Sequence, residues 1–511
     1  MASLTEPPAP DGSDLLALGG LADWLEVRAD LIGDLDPDWL RSHFPGKLLY
    51  TLRSTAEGGF GEEASDARRL RLAAAAGRYD RVDLEVERDL DAGLLDRIAH
   101  DRRLISWHGG PQRLSDLAAL RGRMSETPAA LYKLVPGAAT ATQALAPLQL
   151  LAGSPRRDVI AFASGAGGFW TRILAPRLGA PVVYGSASDR AAAPGQPSIV
   201  RLRRDFGFPD LGRIRQLFGL VGDPALASLS PRLHNAAYRE LGIEALYVPF
   251  EVEQFGDFWL EVVESEAIES FGLALGGLSI TTPHKGVAFA VAGATSPLSE
   301  RLQAVNTLTP RRGVWEGEST DAYGVVEALR SRGVEPRGRR VLVIGCGAAG
   351  RAAALGLAVA GADVTLSNRT TERGLAAARS LGLPFVPLAA LFETDAPVPT
   401  SIPQSPPISP IPPDRLKPFE IYVHATPLGR RKGDVQPFPQ SHLAVGAAIV
   451  DLIYGEAATP LVREARQHGF VAIDGRDVLL YQAVPQFRAM TGRELPVALS
   501  HAILGLDEPA T

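Results

Sequence analysis

Cysteine is almost missing: Cys346 is the only one in 511 residues, which excludes an internal disulfide and any multi-cysteine metal site. The nine histidines form neither HxH nor HxxxH, so no metal centre is expected. Aromatic residues are sparse at 7 %, and no long hydrophobic run occurs. The most apolar long stretch, 341–366, is broken by Gly, Arg and Asp, so no membrane span is expected. No dense Lys/Arg stripe is present and the net charge is -6, which argues against nucleic acid and anionic membranes as partners. The opening segment MASLTEPPAPDGSD has neither a basic region followed by an apolar one nor an Arg-rich character. A secretory or transit peptide is therefore not expected, and the location expected is cytoplasmic.

What is present is the composition of a globular protein, 46 % hydrophobic and 22 % charged, in a chain long enough for two to four domains. Short apolar runs recur at 25–29, 48–52, 82–86, 104–107, 131–135, 159–163 and 181–184. Ala/Leu/Arg stretches with helical periodicity, such as 66–78 and 89–103, lie between them. Strand and helix alternating in this way predict an α/β fold with an N-terminal (β/α)8 TIM barrel. Seven strands are evident; before Trp24 only the weak run 15–18 is available for the first. A polar connector at 201–215 precedes a new strand at 216–222, and a further α/β unit opens at Arg340 with VLVIGCGAAGRAA. The segment 396–413, APVPTSIPQSPPISPIPP, predicts an extended or disordered insertion, most simply a surface loop despite its PxxP spacings.

The apolar runs of the first block end in polar residues. Glu26 and Arg28 share one strand face, Arg53 and Glu57 follow the next strand, His108 ends LISWH, and Lys133 sits inside LYKLV. Arg172 and Gln196 come later. Each has a bland reading: an ion pair for Glu26 with Arg28, a core histidine, a snorkelling lysine. A charged set on successive strand ends is improbable as packing, because buried charge is costly unless paired or used.

In LEVRAD, YTLRSTAEGG, VDLE, ISWH, LYKLV, TRI and APGQ the block resembles type I 3-dehydroquinate dehydratase. The resemblance implies that Lys133 forms an imine with the substrate ketone, that His108 moves protons and that Glu57 holds its tautomer. It also implies that Arg172 clamps the substrate carboxylate while Glu26, Arg28, Arg53 and Gln196 grip hydroxyls. Ala192 departs from the serine usual in that motif.

In the second block, VLVIGCGAAG followed by VTLSNRT has the order strand, tight turn, helix, strand that a dinucleotide fold needs. Gly345, Gly347, Ala348, Ala349 and Gly350 form the turn and helix start. Asn368, Arg369 and Thr370 stand where an NAD enzyme places an acid, so NADP is the cofactor expected. Ser228 and Ser230 precede Pro231 at a helix start, which reads either as capping or as a carboxylate site. Thr281 and Lys285 lie in SITTPHK, Asn306 in AVNT, Asp321 in STDAYG, Tyr454 in DLIYG and Gln482 in LLYQAVPQF. In that order the set resembles shikimate dehydrogenase. The resemblance implies Lys285 and Asp321 as the catalytic pair, with Ser228, Ser230, Thr281, Asn306, Tyr454 and Gln482 binding substrate. Ala227, Ser279, Ser319 and His424 depart from its usual residues, and Ser319 raises the expectation of quinate turnover.

The division expected is a barrel at 1–204, a linker at 205–215, a substrate domain at 216–322, a Rossmann domain at 323–480, and C-terminal helices at 481–511 returning to the substrate domain. Together the resemblances imply consecutive steps on small-molecule substrates, from 3-dehydroquinate through 3-dehydroshikimate to shikimate. Two rivals remain. A one-reaction dehydrogenase with the barrel as scaffold is favoured by Ala192 and the unassigned first strand, and opposed by Lys133, His108 and Arg172. A non-catalytic metabolite sensor is opposed by the retention of both Lys133 and Lys285. No feature of the sequence specifies an oligomeric state.

Overall fold

The computed structural model describes residues 1–61, 65–392, 419–430, 434, 437 and 443–506. The expected Pro-rich insertion at 396–413 lies outside the described residues. The chain forms two compact units, Met1–Leu226 with Ile243–Leu275, and Ala227–Gly242 with Gly276–Thr511.

The first unit carries eight parallel strands: β1 (Ala2–Leu4), β2 (Trp24–Arg28), β3 (Lys47–Thr51), β4 (Arg81–Glu85), β5 (Arg103–Gly109), β6 (Leu131–Pro136), β7 (Val159–Ala161) and β8 (Gly185–Ser186). Their order is β7-β6-β5-β4-β3-β2-β1-β8, with β8 returning to pair with β1 as in a (β/α)8 barrel. Helices separate them, including Ser13–Gly19, Ser65–Ala76, Leu114–Ser125, Leu145–Ala152 and Phe169–Leu174. Parallel strands are covered on both faces, which is why β6 is buried along its whole length, polar Lys133 included. A further parallel pair, β9 (Gln216–Gly222) with β10 (Ala245–Glu251), completes this unit.

Four expectations for this unit need correction. The first strand is Ala2–Leu4, while residues 15–18 lie in the helix Ser13–Gly19, with Leu15 and Leu18 on its buried side. Three residues with a serine in the middle carry no strand pattern of their own; partners on both sides, Leu25 and Gly185 opposite Ala2, define them. The run 181–184 precedes its strand, because the pairing with β1 falls on Gly185 and Ser186. The stretch 89–103 holds only the short helix Ala92–Leu95 and the turn His100–Arg102. Asp89 is drawn instead into a buried two-pronged pair with Arg68 at 2.7 Å on each prong. The connector at 201–215 begins as helical turns, Ile199–Arg201 and Leu202–Phe206.

The second unit contains a mixed sheet segment and a Rossmann sheet. In the first, β11 (Ala274–Ile280) runs antiparallel to β13 (Thr307–Arg311), β13 antiparallel to β14 (Val314–Glu318), and β12 (Ala294–Thr295) parallel to β14. The second is wholly parallel: β15 (Arg340–Ile344), β16 (Asp363–Asn368), β17 (Phe385–Pro387), β18 (Ile421–His424), β19 (Ala448–Asp451) and β20 (Val471–Ile473). Its order, β17-β16-β15-β18-β19-β20, reverses between β15 and β18, where a doubly wound sheet opens a crevice for a ligand. Apolar side chains such as Val341, Val343, Leu355, Leu366 and Val423 fill the layer between this sheet and its helices. Among the described residues no helix is long and apolar enough to cross a membrane.

Candidate active sites

In the barrel, one pocket is lined by Ser3, Glu26, Arg28, Arg53, Glu57, His108, Lys133, Arg172 and Gln196. All the barrel residues singled out from sequence therefore meet. Lys133 Nζ lies 3.9 Å from Glu26 Oε1 and 4.1 Å from the centre of the Tyr184 ring. Burial pushes this amine down to about 8; Glu26 and Asp83 oppose the shift, and Arg53 and Arg28 add to it. Glu26 accepts from Ser3 Oγ at 2.5 Å and from Thr51 Oγ1 at 3.0 Å. Its burial favours the neutral acid, but Lys133, Arg28 and the Ser3 bond outweigh that and hold its carboxyl below the usual range.

His108 stands at the end of β5. Its Nδ1 is 2.9 Å from Glu57 Oε2, and its backbone N–H donates to the same oxygen at 3.0 Å. Arg53 Nη1 donates to that oxygen too, at 2.9 Å. Burial pushes the Glu57 carboxyl up to about 8, with Arg53 opposing and Glu85 and Asp83 adding to the rise. Three N–H groups aimed at Oε2 make that oxygen an acceptor, which places the His108 proton on Nδ1. Burial, with Arg53 and Lys133 nearby, holds the imidazole well below its ordinary range, so it is neutral with Nε2 unprotonated.

The arginines differ in their surroundings. Arg53 is saturated, reaching Asp83 at 2.7 Å, Ser106 at 2.9 Å and Glu85 at 3.3 Å besides Glu57. Arg28 forks onto Asp30 at 2.9 and 2.7 Å and reaches the Ala192 carbonyl at 3.4 Å. Arg172 is buried, yet no carboxylate among the described residues pairs with it. It reaches only the Tyr184 carbonyl at 3.4 Å, its Nε has no partner, and its Cζ lies 4.1 Å from the Phe162 ring centre. Burial pushes this guanidinium down to about 10. Gln196 accepts from the Ala192 N–H at 2.8 Å and donates to Ser3 Oγ at 3.2 Å. Ser3 was not anticipated, because the strand that carries it was not.

In the second unit Lys285, at the start of the helix Lys285–Val291, donates to Asp321 Oδ2. Asn306 Nδ2 donates to the other oxygen, Oδ1, at 2.8 Å, and also to Thr320 Oγ1 at 2.9 Å and Gln482 Oε1 at 3.0 Å. Gln482 reaches this cluster because Gly324 lets the helix Gly475–Thr491 come close; a Cβ there would stand 2.7 Å from Gln482 Cβ. A second cluster joins Ser228 Oγ to Ser230 Oγ at 3.1 Å and to the Tyr454 hydroxyl at 3.4 Å. The residue preceding the helix Ser230–Leu241 is Leu229, so neither serine is its cap; Ser228 Oγ instead accepts the Ser230 N–H at 3.1 Å. Burial pushes the Tyr454 phenol up, with the Ser228 bond opposing. Thr281 is in the turn ahead of Lys285, its carbonyl accepting the His284 N–H at 3.0 Å.

The dinucleotide turn follows β15. Gly345 adopts φ 110°, and a Cβ at Gly350 would run into the Gly345 carbonyl oxygen, so both positions require glycine. At Gly347 a Cβ would meet nothing, and no side chain caps the helix Ala348–Val359, leaving its first N–H groups open to an anion. Asn368 Oδ1 accepts the Cys346 N–H at 3.3 Å, and Asn368 Nδ2 donates to the Thr370 carbonyl at 2.8 Å. Arg369 is exposed and no acid ends β16, so the strand end suits the extra phosphate of NADP.

Residues 220–308 match the family model for the shikimate dehydrogenase substrate binding domain. The NADP-dependent shikimate dehydrogenase of Methanothrix thermoacetophila is 36% identical over 287 residues, spanning 56% of this chain and 96% of its own length. The chain belongs to the shikimate dehydrogenase family. Ahead of its shikimate dehydrogenase part, residues 11–208 match the model for Type I 3-dehydroquinase. A relative with both parts is the bifunctional 3-dehydroquinate dehydratase/shikimate dehydrogenase, chloroplastic, of Arabidopsis thaliana, 28% identical over 94% of this chain and 80% of its own. Among solved structures, the shikimate 5-dehydrogenase of Thermus thermophilus in complex with NADP(H) and shikimate has 30% identity and a TM-score of 0.46, covering 57% of this chain and 98% of that one. Residues 340–398 also match the model of an FAD binding domain, a stretch that contains the glycine turn of the shikimate dehydrogenase part.

Proposed function

We propose that this protein catalyses two consecutive steps, dehydration of 3-dehydroquinate to 3-dehydroshikimate in the barrel and NADPH-dependent reduction of 3-dehydroshikimate to shikimate in the second unit. The observation that carries the first step is a buried lysine with a lowered pKa sharing a pocket with a neutral histidine held by Glu57 and a buried arginine that no acid among the described residues pairs with.

In the dehydration, the neutral Lys133 amine attacks the substrate ketone carbon. The carbonyl oxygen leaves as water, taking up protons, and a protonated carbon–nitrogen double bond remains. That cation draws electrons from the adjacent carbon, whose proton passes to His108 Nε2. The resulting enamine expels the neighbouring hydroxyl, which leaves as a second water with the proton returned by His108. Hydrolysis of the imine then frees the product ketone and the amine. Arg172 receives the substrate carboxylate as a planar fork, which answers its missing partner. Glu26, Arg28, Arg53 and Gln196 orient the ring, Arg53 chiefly through the acids it holds.

In the reduction, Gly345, Gly347, Ala348, Ala349 and Gly350 with Asn368, Arg369 and Thr370 hold NADP, which supplies the hydride when bound as NADPH. Lys285 donates to the ketone oxygen as negative charge develops there, and Asp321 orients both Lys285 and a substrate hydroxyl. Ser228, Ser230 and Tyr454 take the carboxylate, while Thr281, Asn306 and Gln482 bind ring hydroxyls. The division into a barrel at 1–204, a substrate domain at 216–322, a Rossmann domain at 323–480 and returning helices from 481 follows this assignment, and we place the protein in the cytoplasm.

Borohydride reduction with 3-dehydroquinate, followed by intact mass and peptide mapping, tests the reading. A stable adduct on Lys133 is expected. No adduct, in a preparation that oxidises shikimate with NADP, would make the barrel a scaffold.

A further inference from the structure

Of the four buried cations lining the pocket, Arg28 and Arg53 are bonded to acids at 2.7 Å, whereas Lys133 and Arg172 are not. The carboxylate paired with Lys133, Glu26 at 3.9 Å, is already engaged by Ser3 and Thr51, and Arg172 has no acid partner among the described residues. What both cations have is an aromatic face. Lys133 Nζ lies 4.1 Å from the Tyr184 ring centre, and Arg172 Cζ lies 4.1 Å from that of Phe162. The two rings are neighbours, with centres 6.2 Å apart, and the Tyr184 carbonyl also accepts from Arg172. The Tyr184 hydroxyl is buried without a hydrogen-bond partner, and burial holds the phenol far above its ordinary range, so the ring face is the part of this side chain that interacts.

We propose that Tyr184 is a positioning residue for the barrel reaction, its ring face seating Lys133 Nζ and stabilising the positive charge carried by the free ammonium and then by the iminium. This rests on the imine reading of Lys133. A ring quadrupole attracts the cation and ignores the neutral amine, so it raises the amine's affinity for protons against the lowering by burial. The other charged groups facing Lys133 are Glu26 and Arg28 on β2, Arg53 after β3, Asp83 on β4 and His108 on β5.

Weakening the face lowers the pH midpoint of adduct formation by about one unit, the size expected of a desolvated cation–π contact. The experiment compares the full chain with Tyr184→Leu, Tyr184→Phe and phenylalanines of increasing fluorination at position 184, which keep the ring's shape while draining its face. The rate of borohydride trapping with 3-dehydroquinate is followed from pH 6 to 10, with melting temperatures alongside. Support is a midpoint that falls in Tyr184→Leu, falls stepwise with fluorination, and is restored by Tyr184→Phe. A midpoint unmoved across the fluorinated series, in a protein that forms the Lys133 adduct, overturns the role of Tyr184. Absence of any adduct in the unaltered chain overturns the imine reading itself, and this inference with it.

Discussion

Glu57 Oε2 takes both polar hydrogens that His108 offers it, the ring Nδ1–H at 2.9 Å and the backbone N–H at 3.0 Å. Two bonds from one residue to one oxygen fix where the ring sits and which nitrogen carries the proton, leaving Nε2 as the base. Glu57→Gln keeps the shape but weakens this hold, and dehydration should fall about 10²-fold, within the range of general-base effects. Shikimate oxidation by the same preparation should be unchanged. Equal loss of both activities would show a folding defect instead.

The depressed pKa of His108 has a stability consequence. The folded ring resists protonation while the unfolded one titrates near 6.5, so below that pH the unfolded chain binds more protons and stability falls, by at most about 1.4 kcal/mol per pH unit for one group. His108→Asn should therefore reduce the difference in urea midpoint between pH 7 and pH 5.5. An identical difference in both proteins would mean the imidazole is not held neutral by the fold.

Arg172 should trade activity against stability. Arg172→Met removes an unpaired buried cation with a partnerless Nε, so the melting temperature should rise or hold steady. KM for 3-dehydroquinate should increase about 10²-fold through loss of a charge-assisted fork. A melting temperature several degrees lower would mean the stacking on Phe162 outweighs the burial of charge.

Lys285→Met and Asp321→Asn should each slow ketone reduction by about 10²- to 10³-fold, the usual effect of deleting one donor to a developing oxyanion. Neither should affect dehydration, which takes place on residues of the other unit. The check is a pair of assays on one preparation: NADPH consumption with 3-dehydroshikimate, and the ultraviolet absorbance of the enone formed from 3-dehydroquinate.

Arg369 is exposed at the end of β16, where an acid would select the unphosphorylated ribose. Arg369→Asp should weaken NADP binding about tenfold or more in equilibrium titrations while leaving NAD binding equal or improved. Unchanged discrimination would move the selectivity to Asn368 or Thr370.

Much of this was legible in the chain. The spacing of Gly345, Gly347 and Gly350 after an apolar run states a local requirement, for a turn and a close helix, that no distant residue has to complete. Lys133 and His108 stood out because charge inside an apolar run violates the local pattern. Other features had no local signal. β1 is a strand only because Leu25 and Gly185 flank it, and with it came Ser3. Tyr184 reads in sequence as one more apolar residue, and its place beside Lys133 is a contact made across 51 positions of chain, 133 to 184. Asn306 meets Gln482 across a separation of 176 residues.

The sequence by itself determined which chemistry is available: an amine, an imidazole, arginines, and a glycine turn that only a narrow set of residues can form. The tertiary structure alone decided how each group behaves, because protonation state and partner choice depend on burial and on charges from other strands. Burial beside Arg53 and Arg28 is what brings Lys133 down to about 8, and three donors from two segments are what make Glu57 Oε2 an acceptor. Such effects act through a few ångströms of low-dielectric space between residues far apart in the chain, a distance that sequence order does not record.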